Sequence, residues 1–181
     1  MMKVAENMGV EKEPASPHAR LARKVVEAFV RGEDPAGTGD LPEELRGRAG
    51  VFVCLKSGGV LRGCIGTISP CTPSIAEEIR ANAISSASRD FRFPPVTESE
   101  LEGLSYSVDV LGEPEDIPDI SFLDPSRYGV IVRSGSRTGL LLPDLEGVDT
   151  PEEQVRIAML KAGIRHGEPL RLQRFKVTRH E

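Results

Sequence analysis

The chain has 181 residues, 39% of them hydrophobic and 28% charged, with a formal net charge of −5. A chain of this length can bury roughly 70% of the surface it exposes when unfolded, so its core needs neither metal nor disulfide. The acidic balance, the absence of Trp and the small number of aromatics (two Tyr and six Phe) argue against an extended phosphate-binding or base-stacking surface, and so against a nucleic-acid role.

Residues 1–15 are polar and aperiodic and read as a mobile arm, leaving 16–181 as a single domain. Ser16-Pro17 is an N-cap followed by Pro at the first helical position, and Leu21, Val25 and Phe29 continue at helical spacing until Gly32. Residues 33–48 read as a loop. Val51–Lys56 and Val60–Ile65 are strands joined by a turn at Ser57-Gly58-Gly59. Thr72-Pro73 opens a second helix whose buried face is Ile75, Ile79, Ala83 and Ala87. The prolines of Asp90-Phe91-Arg92-Phe93-Pro94-Pro95 forbid helix and impose a fixed loop. Thr97-x-x-Glu100 is a capping box for a short helix, and Leu104–Val110 alternates as a half-buried strand. Residues 112–128 read as an acidic loop, followed by a hairpin of Gly129–Arg133 and Gly139–Leu142. Thr150-Pro151 opens a third helix that Gly163 ends. Leu170–Thr178 reads as one closing strand with a slip in its period at Gln173-Arg174.

Hairpins imply antiparallel pairing, so the fold class is α+β, an antiparallel sheet with flanking helices. Strand, glycine turn, strand, Thr-Pro helix and strand follow in the same order within 49–111 and within 129–178, which suggests a ββαβ pseudo-duplication. Charge is uneven along the chain. No Lys or Arg stands between Phe93 and Ser126, whereas Arg165, Arg171, Arg174, Lys176 and Arg179 cluster near the end. These blocks read as two solvated faces, or as surfaces for partners.

The N-terminal region has no long apolar run, and no window approaches the ~20 apolar residues that span a membrane. We expect a cytoplasmic protein in which Cys54, Cys64 and Cys71 are reduced thiols. His18, His166 and His180 lie at no ligand-like spacing from a cysteine, so no metal site is expected, and no cofactor motif is present.

Leu61-Arg62-Gly63-Cys64-Ile65-Gly66 is the densest candidate site. Alternation on a strand puts Arg62 and Cys64 on one face, where a guanidinium would favour the thiolate and make Cys64 a candidate nucleophile. Gly63 and Gly66 would leave room for a ligand's approach. The bland alternative is a small buried cysteine in a core strand. Asp90 is a candidate base or orienter and Arg92 a candidate substrate ligand; equally, the two could simply lock their loop by an ion pair. No His stands in these segments, which weakens a Cys-His hydrolase.

The hexapeptide Leu61–Gly66 resembles the hallmark of the AMMECR domain family. Asp90, Arg92, Phe93 and Pro95, the strand end Leu140–Pro143 and the helix end Lys161–Gly163 match further family segments in order. The similarity runs from about Leu21 to Val177, and it adds Pro143 to the candidate ligand-binding residues. Departures fall at Asp144, at Met159 and in the shortened loop His166-Gly167-Glu168-Pro169. The resemblance implies larger and smaller lobes, an unassigned activity, and association with Memo-type and radical SAM proteins in the AmmeMemoRadiSam system. Three functions are therefore weighed. The first is a thiol-dependent enzyme or carrier with a small anionic substrate at Arg62 and Cys64. The second is a non-catalytic scaffold for the partner proteins through the acidic 98–124 surface. The third, nucleic-acid binding, is disfavoured by the charge.

Overall fold

The structure is a computed structural model that describes residues 14–35 and 41–181. The N-terminal arm expected over 1–15 lies outside these residues, apart from its last two positions. The chain is α+β, and the described residues form two four-stranded antiparallel sheets and three α-helices. Along the chain come α1 (Pro17–Val30), β1 (Val51–Ser57), β2 (Val60–Gly66), α2 (Ile75–Ser88), β3 (Leu104–Leu111), β4 (Glu115–Ile117), β5 (Gly129–Ser134), β6 (Arg137–Leu141), α3 (Pro151–Ala162), β7 (Arg171–Phe175) and β8 (Val177–His180). The strand orders are β2-β1-β3-β8 and β4-β7-β5-β6. The described residues fall into two compact units, the larger comprising those up to Val108 with 180–181 and the smaller 109–179.

In the larger unit, Ser16 caps α1 by accepting the Ala19 N–H at 3.1 Å. Gly58 and Gly59 take φ of +55° and +81°, which lets the chain reverse tightly between β1 and β2. Val51, Val53 and Leu55 alternate inward from β1 and are fully buried with Ile79 and Ala83 of α2. α2 begins later than its Thr-Pro signal. Its N-cap is Ser74, which accepts the Glu77 N–H at 3.2 Å, while the Thr72 hydroxyl is drawn away to the Glu78 carboxylate at 2.7 Å. The segment after Thr97 is a 3-10 helix, Glu98–Gly103, and the Glu100 carboxylate returns to the Thr97 N–H at 2.8 Å.

In the smaller unit, Val130, Val132, Leu141, Val155, Ala158 and Leu172 form the core. Thr150 does cap α3, with Pro151 at its first position, and Gly163 closes it at φ +66°. Two elements differ from the sequence reading. The acidic loop contains a strand, β4, and the closing strand breaks at Lys176 into β7 and β8, which enter different sheets. At the break, the Lys176 carbonyl accepts the Gly112 N–H at 2.9 Å. The order hairpin, helix, returning strand recurs in both units, but the Thr-Pro correspondence that helped to suggest duplication does not hold at α2, where Ser74 is the cap.

Candidate functional site

Beside the apolar face of α2 runs a polar stripe at four-residue spacing: Glu78, Asn82, Ser86 and, just past the helix, Asp90. All four are buried, and each bonds to the β1–β2 hairpin or its exit. Glu78 accepts from the Thr67 and Thr72 hydroxyls and from the Cys71 and Thr72 N–H groups, at 2.5–2.9 Å. Burial pushes its carboxyl pKa up, but these four donors outweigh burial and leave it below the ordinary value. Asn82 donates to the Val51 carbonyl at 3.0 Å. The Ser86 hydroxyl donates to the Val53 carbonyl at 2.7 Å and accepts the Ile65 N–H at 2.8 Å. Asp90 Oδ2 accepts the Cys64 N–H at 2.9 Å.

Cys54 and Cys64 are joined by a disulfide, with Cα atoms 4.1 Å apart. The expectation that both are reduced thiols is therefore corrected. Its cause is the register of the hairpin. A two-residue turn with uninterrupted pairing would set Cys54 opposite Gly63. A β-bulge intervenes, since Lys56 pairs with Leu61 but Leu55 pairs with Gly63, leaving Arg62 as the extra residue and Cys54 opposite Cys64. The same bulge interrupts the simple alternation by which Arg62 and Cys64 would share a face. Both cysteines are half-buried, whereas their neighbours Val53, Leu55 and Gly63 are buried toward the helices. Cys71 is the free, exposed cysteine.

β2 is an edge strand, and its outer edge at Cys64 is satisfied by side chains of the following loop. Arg92 donates to the Cys64 carbonyl at 3.2 Å, and to the two Asp90 oxygens at 2.9 and 2.6 Å. The Arg92 guanidinium, with the Cys64 and Arg92 N–H groups, holds the Asp90 carboxyl well below the usual carboxylate range although burial opposes this. A carboxylate so held is a weak base, and its geometry is that of an orienter. Arg92 and Arg62 also lie over the Phe93 ring, at 5.5 and 5.9 Å from its centroid. Arg62 donates to both Glu100 oxygens, at 2.7 and 3.2 Å, and to the Pro95 carbonyl at 3.4 Å. Arg62, with the Thr97 N–H, draws the Glu100 carboxyl down to about 2. The Arg62 charge is thus matched within the protein, which leaves little call for an anionic ligand there.

The glycines serve packing. A Cβ on Gly63 would stand 2.3 Å from the Ser86 carbonyl oxygen, and one on Gly66 would meet the Phe52 ring. The space expected for a ligand beside Gly63 and Gly66 is filled by α2 and by Phe52. Pro143 is buried in the smaller unit, beside Asp144, whose N–H donates to the Pro125 carbonyl at 2.8 Å and whose φ is +54°.

A family model described as AMMECR1 matches residues 19–181. The chain belongs to the AMMECR1 family. A Thermotoga maritima protein is 52% identical over 169 residues, covering 91% of this chain and 97% of its own length. A Clostridium acetobutylicum protein is 48% identical over 174 residues, 94% of this chain but 37% of that longer protein. The crystal structure of an uncharacterized protein from Pyrococcus horikoshii superposes with a TM-score of 0.82 at 34% identity, covering 90% of this chain and 88% of that one.

The charge blocks of this AMMECR1-family chain meet one another within the fold. β4 pairs with β7, and Glu115 and Asp116 bind Arg174 and Arg171 at 2.5 and 2.6 Å. Asp109 binds Arg179 at 2.8 Å, and Glu100 takes Arg62. Neither a uniformly free acidic surface over 98–124 nor a free basic strand at the C-terminus results. Among the described residues no cluster of three or more potential ligands could hold a metal, and no helix is long and apolar enough to cross a membrane. Sequence reasoning missed the roles of Cys54, Glu100, Ser86 and Glu78. The spacing Glu78, Asn82, Ser86, Asp90 was a signal in plain view, but a polar residue every fourth position reads equally well as a solvated stripe.

Proposed function

We propose that this AMMECR1-family protein is a thiol–disulfide exchange protein, an enzyme or carrier of reducing equivalents, whose working centre is the Cys54–Cys64 pair. The observation that carries the reading is the bond between two half-buried cysteines set directly opposite one another, one of them on an edge strand. In reducing compartments disulfides are usually transient and catalytic or redox-sensing. In the exchange step an external thiolate attacks one sulfur and forms a mixed disulfide. The other sulfur leaves as a thiolate and takes a proton. A second external thiolate attacks the outer sulfur of the mixed disulfide, so that two electrons pass to the protein, both cysteines end as thiols, and the external thiols leave as a disulfide. Asp90 and Arg92 act as positioning residues, fixing the Cys64 backbone from the edge while its sulfur changes partner.

The test is a redox titration of the native protein against reduced and oxidised dithiothreitol, with iodoacetamide trapping and peptide mass spectrometry. Cys54 and Cys64 are expected to change state together and reversibly, with the fold kept at every point. A pair that dithiothreitol reduces only after unfolding, or that fails to reoxidise, would sink the proposal.

A further inference from the structure

We infer that the loop after α2 is a docking surface for a protein dithiol that exchanges with the Cys54–Cys64 disulfide, a partner assignment that rests on the function proposed above. Phe91 is 96% exposed, the most exposed of the large apolar side chains among the described residues. A single exposed apolar residue is ordinary. The setting of this one is not, because the residues on both sides of it grip the cysteine. Asp90 accepts the Cys64 N–H at 2.9 Å, and Arg92 donates to the Cys64 carbonyl at 3.2 Å. Asp90 and Arg92 are in turn locked to each other at 2.6 Å. The Phe93 N–H donates to the Asp90 carbonyl at 3.0 Å, and the Val96 N–H to the Ala87 carbonyl at 2.8 Å, closing the loop back onto its helix. A ring held out on a fixed backbone loses little further freedom on binding, which is the condition for an anchor.

The surroundings select the occupant. Pro94 and Pro95 are exposed in the same loop and extend the apolar surface without adding backbone donors, while the exposed Arg89 sets positive charge beside Phe91; the Arg92 charge is matched by Asp90. A small thiol reaching a half-buried disulfide needs no such anchor. A protein carrying two thiols must align a whole surface before its sulfur can attack, and an aromatic anchor one residue away from each of the groups that fix Cys64 supplies that alignment. The partner's complementary surface is apolar, with an acidic rim.

Reduction of the disulfide in the full chain is to be followed by iodoacetamide trapping with two reductants in parallel, dithiothreitol and reduced thioredoxin, for wild type, Phe91→Ser and Phe91→Tyr. Removing a docking anchor is worth on the order of 10-fold or more in rate. Phe91→Ser is expected to slow reduction by thioredoxin by that factor and to leave the dithiothreitol rate unchanged, with Phe91→Tyr retaining most of the wild-type rate. Equal rates for all three proteins with thioredoxin, or no reduction of wild type by thioredoxin while dithiothreitol succeeds, overturns the docking surface and leaves the exchange centre standing. Slowing by the same factor with both reductants also overturns it, since Phe91 would then act on the disulfide itself. Failure of dithiothreitol with wild type removes the exchange centre, and the docking surface with it.

Discussion

Asp90 shows how one carboxylate can determine the state of a neighbouring strand. It is almost fully buried, yet it is ionised, because Arg92 and two N–H groups solvate it in place of water. Asp90→Asn keeps the shape and removes the charge. It is expected to cost about 2–3 kcal/mol, the usual range for hydrogen bonds to a charged group together with the desolvation left uncompensated, as read from urea melts at neutral pH. The sign of the pH effect follows from the depressed pKa. The contribution of Asp90 is fully present above the unfolded carboxylate value near 3.8 and is lost as pH falls through the lower folded value. Glu98 is a useful contrast. Its side chain is 73% exposed and lies 3.7 Å from Arg31, so Glu98→Ala is expected to change stability by no more than about 0.5 kcal/mol in the same melts.

At the scale of the element, α2 is held by two different kinds of contact along adjacent stripes. Ile79 is fully buried among apolar neighbours. Ile79→Ala should cost about 2–4 kcal/mol, the transfer term plus the cavity left behind. Ser86→Ala removes few atoms, but it leaves the Val53 carbonyl and the Ile65 N–H without their hydroxyl partner. Its expected cost is about 1–3 kcal/mol, and thermal melts of the two variants measure both. A Ser86→Ala variant as stable as wild type would mean that the stripe is ornament, and that apolar burial alone seats the helix. The apolar stripe was legible from its 3.6-residue period. The polar stripe was not, because a buried carboxylate or hydroxyl differs from a solvated one only in what the rest of the chain brings to it.

For the molecule as a whole, the clearest pH response comes from His18. It is 4% exposed, and its ring stacks on that of His180 at 3.7 Å. Burial, and then the charge of His180, lower its pKa from 6.5 to about 4. Protonation is therefore easier in the unfolded chain. Stability is full above pH 6.5 and falls as pH drops toward 4, by up to about 3 kcal/mol at 1.36 kcal/mol per unit. Chemical melts at pH 7 and pH 4.5 should show the loss. His18→Phe, which keeps an aromatic ring on His180, should remove most of it. The same global view explains the uneven charge of the chain, because Glu115 and Arg174, remote in sequence, are partners across β4 and β7.

What the sequence by itself determined was local. The glycine turn of the first hairpin, the Ser16 and Thr150 caps, the helix periods and the antiparallel α+β class all rest on interactions within a few residues, which composition and spacing encode directly. The hexapeptide Leu61–Gly66 forms most of β2. Tertiary structure alone decided what its residues do. One extra residue at Arg62 shifts the register and turns Cys64 from a reduced thiol beside an arginine into the partner of Cys54. The Ser86 carbonyl occupies the space beside Gly63, and Glu100, well removed along the chain, claims the arginine. The physical reason is common to all three. A bulge, a close helix contact and a partly buried ion pair are settled by which groups the fold brings within a few ångströms, and that proximity is written in no single segment of the chain.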